Sequence, residues 1–548
     1  MEKLFARRID APVLVLAVAL LLASVGNIKF WAVLSSAAGG FSLDSLPLLA
    51  GAFLIVVLFF NACLTLASFR PVAKPLLIAL VLAASAASYF IATYGIVIDK
   101  AMIQNVFETD TREATELVSW QMAARIGLLG GLPAWAIWRA RIAFPRGARG
   151  LLERAGIAGG SLMLALVLLA LLALLYKSLA PALHEHRELR FLLTPTNFIQ
   201  ATHGYLRARW AAPIVVAPLG RDAVKGAAWK GAQRRTLTVI VVGETARAAN
   251  FSLNGYARDT NPLLARQGGL LNFSRVRSCG TATAVSVPCV FSAFGREDYS
   301  QSKAERQEGL LDVLAYAGFD VVWRDNNSGC KGVCDRVRYE DLSRPKPGSP
   351  CADGECHDEV LLDGWPELLR RGGKDMVVVL HQKGSHGPAY ASRYPRAFGR
   401  FGPVCTSNQF ETCSRESIRA AYDNTILYTD YFLSATIDRL RALAQGEDVD
   451  TAMLYFSDHG ESLGENNVYL HGTPYMFAPR EQTEVPMMLW MSDGFSERFR
   501  IDRRCLGQRR DQPLSHENVF HSVLGMLDVN TAVLNPRLDI FHACVRAA

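Results

Sequence analysis

Long unbroken apolar runs fill the first third of the chain, and short apolar runs separated by amphipathic stretches fill the remainder. Five of the long runs reach the roughly 20 residues needed to cross the hydrocarbon core of a bilayer. They are Ala11 to Trp31, Pro47 to Phe69, Pro75 to Val97, Trp120 to Trp138 and Ala155 to Tyr176. The first is too long for a cleaved leader, and a second span follows at once, so it reads as a retained helix. From Thr236 the pattern changes. Candidate strands at Leu237 to Gly243, Phe319 to Trp323, Met376 to His381, Ala452 to Ser457 and Pro486 to Met491 alternate with longer amphipathic segments. That alternation predicts an α/β fold with a mostly parallel sheet flanked by helices. Three parts are expected: a five-helix transmembrane domain over 1–177, a membrane-surface linker over 178–235 and a globular domain over 236–548.

The placement of charge orients these parts. Lys3, Arg7 and Arg8 precede the first span, Arg70 and Lys74 separate the second and third, and Arg139, Arg141, Arg146, Arg149 and Arg154 lie between the fourth and fifth. The loops from Ile28 to Leu46 and from Ile98 to Ser119 carry no cationic surplus. The positive-inside rule then sets the N-terminus in the cytoplasm, and an odd number of spans delivers everything after Tyr176 to the far side of the membrane. The net charge of +7 is explained by these loops and the basic linker, where anionic lipid headgroups lie. No nucleic-acid module is recognisable, and nucleic acid is not an expected partner. The segment from Asp99 to Ser119 reads equally as an amphipathic loop over a site or as a solvated connector.

Of eleven cysteines, Cys63 lies in a span. The other ten form sequence neighbours, Cys279/Cys289, Cys330/Cys334, Cys351/Cys356, Cys405/Cys413 and Cys505/Cys544. An even set in an oxidising compartment reads as disulfides, with neighbour pairing the simplest connectivity. The rival is a zinc site built from Cys330, Cys334, Cys351 and Cys356.

Several candidate strands end in reactive side chains: Glu244 follows the first, Asn326 and Asn327 the second, His386 trails the third, and Asp458 and His459 follow the fourth. Ligands of open α/β sheets bind outside the carboxyl ends of the strands, so these groups should converge in one crevice. Singly, Glu244 and Asp458 could be helix caps. Together, two carboxylates and an imidazole are three of the four ligands that zinc prefers, leaving one position for a hydroxyl nucleophile or a substrate oxygen. SCGTATAVSVPC supplies Thr281, Thr283 and Ser286 as candidate hydroxyls, and residue type alone does not choose among them.

GETARAANFSLNGYARDTNP, SCGTATAVSVPC, WRDNNSGCKGVCD, HQKGSHGPAY and YFSDHGESLGENNVYLHGTPY, taken in order behind the apolar spans, resemble the lipid A phosphoethanolamine transferases, including the mobile colistin-resistance enzymes. The resemblance covers nearly the whole chain. It implies five membrane helices followed by an alkaline phosphatase-like, or sulfatase-like, domain. It also implies a catalytic zinc held by Glu244, Thr283, Asp458 and His459, with Thr283 as the nucleophile. By the same matching, Asn327, Ser328, Lys331, His386 and His471 bind phosphoethanolamine, the two histidines offer a second metal position, and Glu461 supports the metal site. Cys330 and Cys334 flank Lys331, a pair that the family pattern does not always carry. A bridge there would stiffen the lysine loop.

The implied reaction moves phosphoethanolamine from phosphatidylethanolamine to a lipid A phosphate through a phosphoethanolamine-threonine intermediate. Lys331 and Asn327 would contact the phosphoryl oxygens, and His386 or His471 would protonate the leaving oxygen. The expected unit is a monomer in the inner membrane, and the expected outcome is reduced surface charge and polymyxin resistance. Two alternatives stand beside it: transfer to a core sugar or periplasmic glucan, and a membrane-anchored phosphodiesterase or sulfatase-like hydrolase.

Overall fold

The computed structural model describes residues 8–546 apart from 39, 44, 109–114, 145–146, 176–188, 210–214, 345–350, 353–354, 373–374 and 447. Two compact units emerge, Met1–Ile103 with Val118–Arg207, and Gln104–Leu117 with Ala208–Ala548. Much of the expected linker, 176–188 and 210–214, lies outside the described residues.

In the first unit four helices are long and apolar enough to cross a membrane: Ala11–Ser36, Leu46–Ala67, Ala73–Tyr94 and Gly147–Leu172. The segment expected as the fourth span is not among them; it forms two short helices, Trp120–Ile126 and Leu132–Arg139, joined by a π-helical turn at Gly127–Gly131. The glycines explain the break, since each weakens helical propensity. Gly130 is also a close-approach site, where a Cβ would collide with Ser85. The broken helix runs the length of Ala73–Tyr94: Lys74 Nζ donates to the Trp138 carbonyl at one end (2.8 Å), and Tyr89 and Ser119 share a hydrogen bond at the other (3.2 Å). Arg8–Asp10 pairs in parallel with Arg141–Ala143. Arg8, Lys74 and Arg141 therefore lie at one end of the bundle. Asn27, buried inside the bundle, has its amide fully hydrogen-bonded, as a low-dielectric setting favours. The Asn27 amide donates to the Leu22 and Thr194 carbonyls (2.7 and 2.6 Å) and accepts from the Thr194 N–H (2.7 Å).

The second unit is built on an eight-stranded sheet. Its strands are β1 (Arg235–Gly243), β2 (Leu271–Arg277), β3 (Asp320–Asp325), β4 (Arg338–Asp341), β5 (Asp375–His381), β6 (Val449–Ser457), β7 (Glu484–Met491) and β8 (Leu514–Ser515), in the spatial order β8-β2-β7-β6-β1-β5-β3-β4. β1, β3, β5 and β6 are parallel neighbours, while β7 runs antiparallel to both β6 and β2. The sheet is mixed, because the long connection 458–483 returns β7 beside β6 in the opposite direction. The central strands read as continuous apolar runs because both faces are covered: every residue of β5 and β6 is buried. Each fully buried Val, Leu or Ile side chain contributes about 1.5–3 kcal/mol relative to exposure. The register levels the carboxyl ends, with Ser457 opposite Gly243, His381 opposite Val242 and Asp325 opposite His381.

All ten neighbouring cysteines are bridged as Cys279–Cys289, Cys330–Cys334, Cys351–Cys356, Cys405–Cys413 and Cys505–Cys544. The four-thiol zinc reading fails, since these sulfurs are spent on each other. Cys63 is the free cysteine. Maleimide titration of the denatured, unreduced protein is expected to label one thiol per chain, rising to eleven after reduction. Replacing Cys505 and Cys544 by alanine opens a loop of 39 residues and is expected to lower stability by about 4 kcal/mol on the chain-entropy account, read as a reduced denaturant midpoint.

Candidate active site

Four parallel strands stop level with one another, so the residues immediately after them meet. Glu244 follows β1, Asp458 and His459 follow β6, and the loop after β3 brings in Asn327; Glu244, Asp458 and His459 are completely buried. Gly384, after β5, packs directly on the Glu244 backbone; it adopts φ +53, and a Cβ there would stand 2.6 Å from the Glu244 carbonyl oxygen. Only glycine permits both that conformation and that approach.

Thr283 is the first residue of the helix Thr283–Val290, whose amino end carries unsatisfied N–H groups and partial positive charge. Its Oγ1 donates to Glu244 Oε2 (2.9 Å) and lies 3.3 Å from His459 Nε2. The two rival hydroxyls are committed elsewhere. Thr281 Oγ1 donates to the Thr473 carbonyl (2.6 Å), and Ser286 Oγ donates to the Asp458 carbonyl (2.5 Å). The structure thus separates three hydroxyls that residue type left equivalent.

His459 Nδ1 donates to the Gly460 carbonyl (2.9 Å), which turns the Nε2 lone pair inward. Nε2 stands 3.4 Å from both Glu244 Oε1 and Asp458 Oδ2. Those two carboxylate oxygens are buried and accept no hydrogen bond. Buried acceptors left without donors are costly, and two carboxylates facing a nitrogen lone pair within 4.8 Å fit a divalent cation. Burial disfavours the His459 imidazolium, yet Asp458 and Glu244 outweigh it and push its pKa up to about 10. Burial and the Glu244 charge push Asp458 up to about 6. Both shifts express one fact: the cluster is short of positive charge. The residue types and the inward aim of four ligand atoms fit zinc.

The phosphoethanolamine-binding candidates lie around this cluster. Asn327 Nδ2 donates to Glu244 Oε2 (2.7 Å) and to the Gln382 carbonyl (3.0 Å), so its amide braces a carboxylate of the cluster. Lys331 Nζ donates to Ser328 O and Oγ (2.9 and 3.0 Å). Lys331 holds φ 53, a strained value for a residue with a side chain, inside the loop closed by Cys330–Cys334. His471 Nδ1 donates to Glu461 Oε2 (2.9 Å), and Glu461 Oε1 accepts from Tyr390 OH (2.7 Å). The His471 ring lies 4.5 Å from that of His459 and 5.3 Å from that of His386.

Some contributors were not anticipated. His516, completely buried, accepts from the Cys279 N–H through Nδ1 (3.1 Å) and donates from Nε2 to the Ser457 carbonyl (3.0 Å), tying the Thr283 loop to β6. Arg393 donates to the His386 carbonyl (2.7 Å) and to Glu116 (2.6 Å). Glu116 thus falls with this unit. Asp325 and His381, hidden beneath Asn327, complete the set.

Comparison with known proteins now decides the family. A phosphoethanolamine transferase EptA/EptB model matches residues 56–210, and a sulfatase model matches residues 236–529. Phosphoethanolamine transferase EptA of Escherichia coli (strain K12) is 41% identical over 490 residues, covering 89% of this chain and 88% of that protein. The chain belongs to the phosphoethanolamine transferase family. Within the family, phosphatidylethanolamine transferase Mcr-1 of Escherichia coli is 38% identical over 550 residues, 97% of this chain and 98% of that one. The solved integral membrane lipooligosaccharide phosphoethanolamine transferase A (EptA) of Neisseria meningitidis superposes with a TM-score of 0.94 at 35% identity, over 99% of this chain and 100% of that chain. The second unit is the alkaline phosphatase-like domain of this transferase family, set behind a membrane domain.

His516 supplies a pH test. Burial pushes its pKa down to about 3, outweighing the Ser457 carbonyl, which favours the charged form. The unfolded chain, with an imidazole near 6.5, then binds the extra proton first, so this contribution to stability is complete above about 6.5 and is lost as pH falls toward about 3. Urea unfolding of the full-length protein is expected to weaken across that window. In His516→Gln the slope should flatten by about one proton, or about 1.4 kcal/mol per pH unit.

Proposed function

We propose that this family member transfers phosphoethanolamine from phosphatidylethanolamine to a phosphate of lipid A through a covalent intermediate on Thr283. The observation that carries the reading is Thr283 Oγ1 poised beside Glu244, Asp458 and His459, with its rival hydroxyls bound to carbonyls. The relatives, phosphoethanolamine and phosphatidylethanolamine transferases, supply the group transferred. Glu244, Asp458, His459 and Thr283 would hold one zinc, and His386 with His471 offer a second metal position. Such an ion supplies positive charge that makes the threonine hydroxyl more acidic and offsets charge growing on the phosphoryl group.

The residues of the chain account for the two displacements. Thr283 Oγ gives its proton to Glu244 Oε2, to which it already donates, and attacks the phosphorus of phosphatidylethanolamine as the bond to the diacylglycerol oxygen breaks. That oxygen takes a proton from His386 or His471, a role open to a histidine only while it holds no second metal. Glu461, oriented by Tyr390, holds His471 by Nδ1 and leaves Nε2 for this transfer. Lys331 and Ser328 take the non-bridging oxygens and the amine-bearing end, while Asn327 keeps Glu244 in place. A lipid A phosphate oxygen then attacks the same phosphorus, the bond to Thr283 breaks, the threonine oxygen recovers the proton from Glu244, and the proton of the acceptor phosphate restores the histidine. All of these residues come from one copy, so a monomer suffices.

Five crossings, counting the broken helix that runs the length of Ala73–Tyr94, and the shared basic end of the bundle support an inner-membrane protein with a cytoplasmic N-terminus and a periplasmic catalytic domain. Both lipid substrates then present their headgroups at the face where Thr283 stands. Capping lipid A phosphates with an amine-bearing group lowers negative surface charge and reduces binding of cationic polymyxins.

Intact-protein mass spectrometry after incubation with phosphatidylethanolamine is expected to show a single phosphoethanolamine adduct that peptide mapping places on Thr283. Thr283→Ala should lose the adduct and at least about 1000-fold in transfer; an adduct on Thr281 or Ser286 would overturn the assignment. Expression in a polymyxin-sensitive Gram-negative host should add phosphoethanolamine to lipid A. Unmodified lipid A beside a modified core sugar would replace the acceptor. Chelation should abolish transfer and added zinc should restore it.

A further inference from the structure

A buried acid–imidazole pair lies beneath the cluster and takes no part in the steps above. Asp325 ends β3, His381 ends β5, and the two are opposite one another in register. Both side chains are fully buried. The Asp325 carboxylate is saturated with donors. Its Oδ2 accepts from Trp323 Nε1 (2.7 Å) and His381 Nδ1 (3.0 Å), and its Oδ1 accepts from the N–H groups of Asn327 (2.8 Å) and Gly329 (3.3 Å). Burial alone would raise its pKa, but His381 and these donors hold it below the usual carboxylate value, so it is an anion.

His381 Nδ1 is committed to Asp325, which leaves Nε2 to face Asn327 Nδ2 at 3.3 Å. The Asn327 amide nitrogen has two hydrogens; one goes to Glu244 Oε2 and the other is shared between the Gln382 carbonyl and His381 Nε2, while Oδ1 accepts from the Ser328 N–H. Burial opposes a charged His381, but Asp325 outweighs it and raises its pKa; in the neutral ring, with Nδ1–H on Asp325, the Nε2 lone pair accepts from the Asn327 amide, whereas an N–H there would meet another N–H. A lone pair at Nε2 and the Gln382 carbonyl together favour the nitrogen end of the Asn327 amide over its oxygen end. A flipped amide would set an oxygen against Glu244 Oε2 and push the carboxylate out of place.

We propose that Asp325 and His381 are positioning residues for the metal site. Asp325 fixes the tautomer of His381, His381 fixes the Asn327 amide, and Asn327 holds Glu244 Oε2 so that Oε1 aims at Asp458 and His459. Neither residue touches substrate. The proposal rests on the zinc reading of the cluster, and its test separates the two.

The experiment measures zinc affinity of the metal-stripped full-length protein by competition with a chromogenic chelator, with thermal melting as the check on folding. His381→Leu removes the acceptor at nearly constant volume, and Asp325→Asn removes the tautomer control without a change of shape. Each is expected to weaken zinc binding about 10- to 100-fold, the usual cost of losing a partner that orients a ligand. His381→Gln can place an amide oxygen where Nε2 stood, and it should stay within about threefold of the parent. A packing role would instead lower the melting temperature of the Leu and Gln variants alike and leave zinc affinity unchanged. Parent-like affinity in His381→Leu or in Asp325→Asn would overturn the proposal, as would a His381→Gln variant as weak as His381→Leu. If the unmodified protein itself binds no zinc, the zinc reading falls, and the proposal falls with it; the unmodified arm alone reveals this.

Discussion

Two buried carboxylates, Glu244 and Asp458, stand at the ends of adjacent parallel strands, each with one oxygen that accepts no hydrogen bond. With all candidate ligand atoms within 4.8 Å of one another, two bare negative charges repel by at least about 3.5 kcal/mol at an effective dielectric constant of about 20. That repulsion is offset only by a cation, and the rest of the catalytic unit is arranged to keep the pair apart from water and aimed at a common point. The same demand for positive charge draws a proton onto His459 whenever a metal is lacking.

The fold meets this demand through register. Because β1, β3, β5 and β6 end level, short side chains suffice to bring four loops together, and backbone hydrogen bonds lock the ends. Asp458 N–H donates to the Gly243 carbonyl (2.9 Å), and Asn326 N–H donates to the His381 carbonyl (2.9 Å). Bridges then fix what the sheet leaves loose. Cys279–Cys289 closes the helix that presents Thr283, and Cys330–Cys334 closes the loop that holds Lys331 in its left-handed conformation. Rigidity at these points suits a reaction in which a nucleophile must meet phosphorus along a defined line.

The parts of the fold legible in the chain were those written in local pattern. β1, β5 and β6 are near-continuous apolar runs, and they were found because both faces are buried. β2, LNFSRVR, alternates apolar residues with exposed arginines and is not among the candidate strands, while β8 is only two residues long. The antiparallel direction of β7 has no signature in an apolar run. The break at Gly127–Gly131 was visible as glycines, although hydropathy averaged it away. At the site, the strand-end rule found Glu244, Asp458 and His459, yet the choice of Thr283 came from family resemblance and not from residue type. His381 and Asp325 sat at strand ends that were already in view. They were passed over because their partners, Asn327 above and Trp323 beside, are set by tertiary packing. His516 carried no signal at all, since its two hydrogen bonds are to backbone groups far away in sequence.

The central claim is that the orphaned oxygens of Glu244 and Asp458, the Nε2 of His459 and the Oγ1 of Thr283 form one zinc site. Zinc-edge X-ray absorption on the purified full-length protein tests it most directly. The account predicts bound zinc with a shell of one imidazole nitrogen and oxygens at about 2.0–2.2 Å, and a changed shell in Glu244→Gln. A sulfur shell at about 2.3 Å, or a zinc spectrum indifferent to Glu244, would contradict it.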